Sequence, residues 1–344
     1  MRLSLFSLVL IAAQLTGGAA AAFETEAWSR YGPEDGPQLR IISTADTSIM
    51  EPLIRTFIQA RPESGVEYTV VSSTELMKAV AEEGAGFDLA VSSAMDLQTK
   101  LANDGFTRRH ASEAVKLVPA WGSWRGHVFA FSQEPASIVL NPSAFTGLEL
   151  PRSRPDLIAL LRQHPDRFRG RIGTYDASTS GLGYLFATQD ARTSESFWRL
   201  MEILGSLDVK LYCCSGSMIE AVARGDIAVA YNVLGSYARA RSDLAGRIEI
   251  IEPADYTNMM LRTAVILKGT ENPVLAGAFV DHLLTAAWDS PAAPEYPFQH
   301  FPHGEDGLPG TLRPIQLGPG LLVFLDQLKR KRFLSEWESA VVQK

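Results

Sequence analysis

The amino-acid sequence predicts an α/β protein with two lobes that are joined by two crossing segments. The first observation is a recurring arrangement: a short apolar stretch, then small polar residues, then apolar residues at helical spacing. The second is a pair of long β-rich segments, 126–145 and 247–269, separated by enough residues for one inserted domain. The third is length, because 344 residues with 46% hydrophobic and 21% charged residues exceed one comfortable core.

The recurring arrangement occurs three times before the first crossing. Apolar residues at 39–42 precede "STADTS" and a helical pattern, the strand 66–71 precedes "SSTE", and "DLAVSSAMD" repeats the theme. Ser48-x-x-Glu51 and Ser72-x-x-Glu75 fit capping boxes. Because strands alternate with helices, the predicted sheets are parallel α/β layers and not a sandwich.

Two more copies follow residue 140, in "GRIGTYDASTSGLGYLFATQDA" and "VKLYCCSGSMIEAVARG". In the second, Ser217-x-x-Glu220 fits a capping box and Gly225 fits a C-cap. The predicted domains are 37–133 plus 262–344 for lobe one and 134–261 for lobe two. A Pro/Gly-rich loop and a helical segment close the chain.

The first 22 residues have the pattern of a secretory signal peptide. Arg2 precedes an apolar run over 3–15, and Ala20-x-Ala22 fits a cleavage signature, so cleavage is expected near Ala22. The alternative is an uncleaved anchor, for which the run is short against a span of about 20 residues. We therefore expect an exported protein. Its net charge of −7 offers no electrostatic footprint for nucleic acid.

The two cysteines, Cys213 and Cys214, are adjacent and make no disulfide framework. A metal site needs more ligands than their segment offers. Two alternatives stay open: a vicinal disulfide, or two small residues at the rim of a ligand site. His300 and His303 also lack a third fixed ligand, so neither a metal nor a cofactor is predicted.

Known catalytic motifs are missing from the sequence. There is no H-E-x-x-H, no G-x-S-x-G and no Walker-type loop, and "GLG" at 181–183 is a lone G-x-G. The sequence therefore predicts a protein that is not an enzyme. A hydrolase or transferase acting on phosphorylated substrates is the alternative class.

The polar residues lie where open α/β sheets bind ligands, at the carboxyl ends of the strands. The helices that begin there present free N–H groups and a positive dipole end, which favour anions. For any one serine, threonine or aspartate the competing interpretation is a simple N-cap. Five such helix starts in one chain favour a ligand cleft that some of them line.

The strand ends "IISTADTSIMEPLI", "DLAVSSAMDLQTKL", "TYDASTSGLGYLFATQDAR" and "VAYNVLGSY" resemble those of bacterial periplasmic solute-binding proteins. The likeness is to the branch of ferric-iron and sugar-phosphate binders, and within it to phosphoglycerate transport regulatory proteins. It implies the type II two-lobe fold, a periplasmic monomer, and closure on a solute. The implied partner is an inner-membrane ABC permease or the sensor domain of a histidine kinase.

The resemblance also points to the class of solute. "TSGLG" is similar to the Ser-Gly turn that holds an anion in iron-binding members, which implicates Ser180, Gly181 and Leu182. The adjacent tyrosines of ferric binders are replaced here, since Tyr231 and Tyr237 are separated. The expected solute is therefore a small anion, such as a phosphorylated sugar, an organophosphate or a carboxylate, with ferric iron as the alternative.

The candidate ligand-binding residues are polar side chains and glycines at strand ends, helix starts and the first crossing. They are Ser43, Thr44, Asp46, Thr47, Ser73, Thr74, Ser92, Ser93, Glu134, Tyr175, Ser178, Thr179, Ser180, Gly181, Ser215, Gly216, Ser217, Asn232 and Tyr237. For Glu134 the competing interpretation is a hinge salt bridge.

Overall fold

A computed structural model of the chain describes residues 23–289, 295–300 and 310–343. The expected signal peptide at 1–22 lies outside the described residues, as does His303. Within the described ranges, no helix has the length and apolar character needed to cross a membrane.

The strands are short and follow one another along both lobes. In chain order they are β1 (Ala27–Tyr31), β2 (Gln38–Ser43), β3 (Gly65–Val70), β4 (Leu89–Ser92), β5 (Thr107–Arg108), β6 (Ser123–Trp124), β7 (Val128–Ala130), β8 (Glu134–Leu140), β9 (Ile172–Tyr175), β10 (Lys210–Tyr212), β11 (Val229–Leu234), β12 (Glu249–Ile251), β13 (Thr257–Met260), β14 (Thr263–Leu267) and β15 (Leu312–Pro314).

The helices fill the connections between these strands. They are α1 (Thr47–Ala60), α2 (Ser73–Met77, continued by a π-helical turn, Lys78–Glu82), α3 (Met95–Asn103), α4 (Glu113–Lys116), α5 (Arg154–Gln163), α6 (Pro165–Phe168), α7 (Gly181–Thr193), α8 (Ser196–Ser206), α9 (Ser215–Arg224), α10 (Gly235–Arg239), α11 (Pro273–Trp288) and α12 (Gln327–Val341). Short 3₁₀ turns span Ala120–Gly122, Pro142–Phe145, Ser242–Leu244 and Pro319–Leu325.

The strands form two mixed sheets, one in each lobe. The order in the first is β1-β3-β2-β4-β14-β7-β6, with β5 beside β14, and in the second β10-β9-β11-β8-β13-β15, with β12 beside β8. The predicted parallel pairs are present, β2 with β3 and β4, and β9 with β10 and β11. The strands next to each crossing pair antiparallel, because the chain enters and leaves each sheet in opposite directions.

The two crossings lie side by side. The chain passes from β7 to β8 within 131–133, and it returns from β13 to β14 through 261–262. The Phe131 amide donates to the Arg262 carbonyl at 2.9 Å, so the crossings are hydrogen-bonded to each other. Two adjacent connections of this length form the natural hinge between the lobes.

The end of the chain differs from the predicted domain division, which placed all of 262–344 in lobe one. Strand β14 and helix α11 pack with the first sheet, but β15 pairs with β13 in the second. Helix α12 packs against α8, where Phe333 stacks on Phe197 with ring centroids 6.4 Å apart. An amphipathic helix specifies which face it buries but not which lobe it buries that face against.

The observed N-cap residues of α1, α2 and α9 test the three predicted capping boxes. The Ser72 hydroxyl accepts the Glu75 amide at 3.2 Å, which confirms the N-cap of the second box, while a Glu75 carboxylate oxygen accepts the Glu24 amide at 2.8 Å. The prediction at Ser48 is wrong, because the N-cap of α1 is Asp46, two residues earlier. The prediction at Ser217 is also wrong, because the N-cap of α9 is Cys214, three residues earlier.

The C-terminal end of α9 follows the sequence prediction. Gly225 adopts a left-handed conformation with φ of 82°, which glycine tolerates better than other residues, and it forms the predicted C-cap.

Candidate functional site

A cavity of about 490 Å³ lies between the lobes, within the range of small-molecule sites. Its wall is built from the carboxyl ends of strands and the first turns of helices, as expected for an open α/β sheet. Predicted residues on the wall are Thr44, Asp46, Ser73, Thr74, Ser93, Tyr175, Thr179, Ser180, Ser215, Gly216 and Tyr237. Helices α1, α2, α3, α7 and α9 all begin at or beside these residues.

The wall of lobe one is fixed by hydrogen bonds between neighbouring loops. The Thr44 hydroxyl donates to Ser92 Oγ at 3.2 Å and accepts the Ser93 amide at 3.2 Å. This ties the loop after β2 to the loop after β4. Asp46 and Glu26 add carboxylates to the wall, so the cavity offers acceptors as well as donors.

The wall of lobe two is held in a similar way. Tyr175 and Ser215 share a hydrogen bond of 2.5 Å, and Ser215 Oγ also accepts the Leu234 amide at 3.0 Å. Ser180 Oγ accepts the Gly183 amide at 3.2 Å, as an N-cap does. These hydroxyls and the Gly183 amide are engaged in structure, which leaves the backbone N–H groups in the first turn of α9 as donors that a ligand could use.

The lobes touch each other at the rim of the cavity. The Gly181 amide donates to Ser73 Oγ at 3.1 Å, and the Asp46 amide donates to the Tyr237 hydroxyl at 3.5 Å. A Cβ atom at Gly181 would lie 2.3 Å from Ser73 Oγ. The two lobes are therefore in contact at both of these hydrogen bonds, and the first turn of α7 lies against lobe one.

Arg262 brings a positive charge to the cavity wall from the second crossing. Its side chain is 1% exposed, and it forms a two-pronged ion pair with Glu134, with Nε to Oε1 at 3.1 Å and Nη2 to Oε2 at 3.2 Å. Burial works against the charged form, but the Glu134 carboxylate outweighs it and raises the pKa of Arg262. Ser132 donates to Oε1 at 2.7 Å, and Ser236 also donates to this carboxylate.

The third guanidinium nitrogen of Arg262 takes no part in the ion pair with Glu134. Nη1 is buried and has no hydrogen-bond partner among residues 23–289, 295–300 and 310–343. A buried N–H of a charged group without a partner is costly, since the desolvation of that group is not compensated. Because Arg262 is among the residues that line the cavity, an acceptor that reached Nη1 would supply the missing hydrogen bond.

The relatives of this chain agree with the two-lobe arrangement. Residues 39–289 match the family of bacterial extracellular solute-binding proteins. The chain belongs to this family. A crystal structure of the substrate-binding protein of an ABC transporter from Agrobacterium tumefaciens is 31% identical, with a TM-score of 0.81, covering 92% of this chain and 98% of that one. The predicted family and the two-lobe α/β fold are confirmed.

Two further relatives are more distant from this solute-binding protein. A probable ABC transporter periplasmic-binding protein of Sinorhizobium fredii is 24% identical over 189 residues, which cover 53% of this chain and 51% of that protein. The chain thus spans about half the length of that curated relative. The periplasmic binding protein AfuA from Actinobacillus pleuropneumoniae, with fructose-6-phosphate bound, has a TM-score of 0.71 at 17% identity, covering 89% of this chain and 98% of that one. At that identity the likeness shows the fold alone.

Several predicted residues of the solute-binding protein lie away from the cavity. Ser43 accepts from the Tyr68 hydroxyl at 2.6 Å, and Ser92 accepts the Ala94 amide at 3.0 Å, so both serve the interior of lobe one. The Thr47 hydroxyl is buried without a partner in the described part of the chain and does not line the wall.

In lobe two and the crossing, five more predicted residues do not line the wall, Asn232 among them. Ser178 donates to Asp176 at 2.5 Å, and Gly181 points its amide at lobe one. Ser217 contacts the cysteine sulfurs, with Oγ 3.0 Å from Cys214 Sγ. Glu134 forms an ion pair with Arg262, which agrees with the hinge salt bridge that was its competing interpretation.

Asn232 is held behind the wall by a buried carboxylate. It has a positive φ of 62°, and its Nδ2 donates to Asp190 at 2.8 Å. Tyr231 donates to the same carboxylate at 2.7 Å. Both therefore belong to a polar network inside lobe two.

The sequence interpretation passed over Arg262 and placed the cysteines at the rim. Arg262 is a single cation within the apolar crossing "MMLRTAV", which was the available signal. Cys213 and Cys214 line the cavity as free, exposed thiols. No cluster of three or more histidine, cysteine, aspartate or glutamate side chains with metal-binding geometry occurs among the residues that the structure describes.

Proposed function

We propose that this solute-binding protein captures a small anionic solute, of the phosphorylated-sugar or organophosphate class or a carboxylate, in the interlobe cavity. The observation that carries the proposal is the buried Arg262, whose Nη1 lacks a partner among the described residues while the residue lines the cavity. A guanidinium is suited to phosphate and carboxylate oxygens, and charge-assisted hydrogen bonds are the strong ones.

The rest of the wall supports a solute that also carries hydroxyl groups. The helix starts supply N–H groups for an anionic group, and Asp46 and Glu26 supply acceptors for hydroxyls. A sugar phosphate presents both kinds of group. The relative AfuA, crystallised with fructose-6-phosphate, is consistent with this class.

Ferric iron is the alternative solute. Iron of this charge favours phenolate and carboxylate oxygens, whereas burial raises the pKa of Tyr237 to about 12 and so favours its neutral form. Tyr231 donates to Asp190 away from the cavity. These features favour the organic anion.

Delivery of the solute to an inner-membrane ABC permease completes the proposal. Hinge closure would join contacts from both lobes around the solute and favour the closed state that a permease recognises. The protein would act in the periplasm by stoichiometric binding, without turnover.

A thermal-shift screen of the mature chain tests the proposal. At about 100 times the dissociation constant, a bound solute adds roughly 2.7 kcal/mol of stability. We expect shifts with sugar phosphates, glycerate phosphates or di- and tricarboxylates, and recovery of the solute unchanged. A shift with neutral sugars or amino acids alone contradicts the anionic solute, a tyrosinate-to-iron absorption band with ferric ion supports the alternative, and a converted solute contradicts simple binding.

A further inference from the structure

Cys213 and Cys214 occupy the turn between β10 and α9, in the wall of the cavity. Successive side chains of a strand point to opposite faces. Here the chain bends at Cys213, and the two Sγ atoms lie 2.7 Å apart. Both thiols are free and exposed. The two thiols are thus close enough to react with each other, and the solute contacts proposed above do not involve them.

The surroundings of the pair favour thiol–disulfide exchange. Cys214 directly precedes α9 and is exposed in the cavity wall, so an oxidant can reach its sulfur. Its Sγ lies 3.0 Å from the Ser217 hydroxyl, which can donate to it. Burial, followed by the neighbouring Cys214, raises the pKa of Cys213. Cys214 is therefore placed to attack and Cys213 to resolve.

We propose that Cys213 and Cys214 form a reversible disulfide in the cavity wall by exchange with a disulfide-containing oxidant, and that the oxidised protein binds an anionic solute more tightly. The Cys214 thiolate attacks one sulfur of the oxidant, forming a mixed disulfide and releasing one thiol. The Cys213 sulfur then attacks Cys214 and releases the second thiol. Two protons and two electrons leave the pair, and they reappear in the two thiols of the reduced oxidant.

The effect on affinity rests on the proposed function, because it assumes an anion in this cavity. A disulfide removes the rotational freedom of two side chains in the cavity wall, so less side-chain freedom has to be lost when a solute is held there. We expect the oxidised form to bind about fivefold more tightly or better, the lower end of typical coupling between sites.

The first measurement is chemical and does not depend on the solute. The mature chain is incubated with oxidised glutathione, alkylated, and weighed intact. We expect a monomer that has lost two hydrogens, carries no glutathione and takes up no alkylating reagent, with dithiothreitol restoring both thiols. The single variants Cys213→Ser and Cys214→Ser cannot close and should retain bound glutathione. Stable glutathione adducts on the unaltered chain, or two thiols that stay alkylatable, overturn the proposal.

The second measurement titrates fructose-6-phosphate, as the probe, into the oxidised and reduced forms. Tighter binding by the oxidised form, absent from the double variant Cys213→Ser/Cys214→Ser, supports the coupling. Equal affinities overturn the coupling. If the disulfide forms but the probe binds neither form, the coupling and the sugar-phosphate function fail together, and the modification site stands on the mass alone.

Discussion

Two arginines are equally buried in this molecule, and only one of them has all its nitrogens occupied. Arg154 and Arg262 are each 1% exposed. Arg154 in lobe two bonds Tyr231 from Nε at 2.6 Å, the Tyr256 carbonyl from Nη1 at 2.6 Å and Asp190 from Nη2 at 3.4 Å. Arg262 at the hinge bonds Glu134 through two nitrogens and leaves Nη1 without a partner in the described chain.

This difference fits a structural role for Arg154 and the proposed ligand-binding role for Arg262. Buried charges are tolerated when paired and hydrogen-bonded, and Arg154 fulfils that condition within lobe two. Arg262 fulfils it in part, at a position that lines the cavity and joins the two crossings. Under the proposed function, Nη1 of Arg262 is the donor that a solute acceptor would satisfy.

The largest expected effect is on stability, and it should be similar for both arginines. Arg154→Met leaves Asp190 and Arg262→Met leaves Glu134 as buried carboxylates without their cation. Breaking such a pair costs roughly 3–5 kcal/mol in the free energy of unfolding. Urea denaturation of both variants measures this.

A neutral pair provides the control for the hinge. Arg262→Met combined with Glu134→Gln removes both charges and should regain most of the lost stability. A double variant that is no more stable than Arg262→Met alone would show that the ion pair is not the cause.

The next prediction concerns a buried carboxylate that, unlike Asp190 and Glu134, has no cation close to it in the described part of the chain. Asp96 is buried at the start of α3 and has no ion-pair partner among the described residues; burial raises its pKa to about 7. Because the unfolded pKa is about 3.9, the folded state favours the protonated form. Stability is therefore fully present below pH about 4 and is lost as the pH rises through about 7.

Asp96→Asn should remove this loss. At pH 8 the variant should be more stable than the parent by roughly 2–4 kcal/mol, and thermal melts from pH 4 to 8 should lose most of their slope. Asp104→Asn, at the C-cap of the same helix, is the control, since Lys100 lowers the pKa of that exposed carboxylate. An unchanged pH slope in Asp96→Asn refutes the assignment.

Conservative substitutions distinguish the two arginines by solute binding. Arg262→Lys keeps the charge but loses the planar fork, and we expect it to weaken fructose-6-phosphate binding by about 10- to 100-fold. Arg154→Lys should leave the affinity within a factor of about two, whatever it does to stability. Calorimetric titration measures both affinities, and an equal loss of affinity in the two variants would contradict the distinction between the arginines.

The smallest effect concerns the rim, far from either ion pair. Gly181→Ala places a Cβ 2.3 Å from Ser73 Oγ and should hinder contact between the lobes, which weakens solute binding by about tenfold. Gly269→Ala adds the same group outside the cavity, where no atom of the described residues lies within 4 Å of it, and serves as the control. Small-angle scattering with solute should show reduced closure for the first variant only.

The sequence predicted the alternation of strands and helices well because it follows from local patterns, whereas the capping residues of α1 and α9 were misplaced by two and three residues. Alternating apolar strands and helices specify α/β layers, and small polar residues mark the strand ends. It could not separate Ser43 from Thr44, or Ser92 from Ser93. Neighbouring residues at a strand end point to opposite sides, and register decides which of them faces the cavity.

The missed residues depend on contacts between distant segments. Arg262 acquires its role from Glu134, which is far away in the chain and adjacent across the two crossings. Asp190 lies on α7, where the sequence gives it no distinction, yet Tyr231, Tyr256 and Asn258 donate to it. No local pattern encodes such networks.

The central claim is that Arg262 provides the cationic donor for an anionic solute, and one titration tests it most directly. Fructose-6-phosphate is titrated into the parent chain and into the stable neutral variant Arg262→Met/Glu134→Gln, with urea melts confirming that both are folded. The account predicts that the parent binds and that the variant loses at least about 100-fold in affinity. A folded variant that binds as tightly as the parent would contradict it.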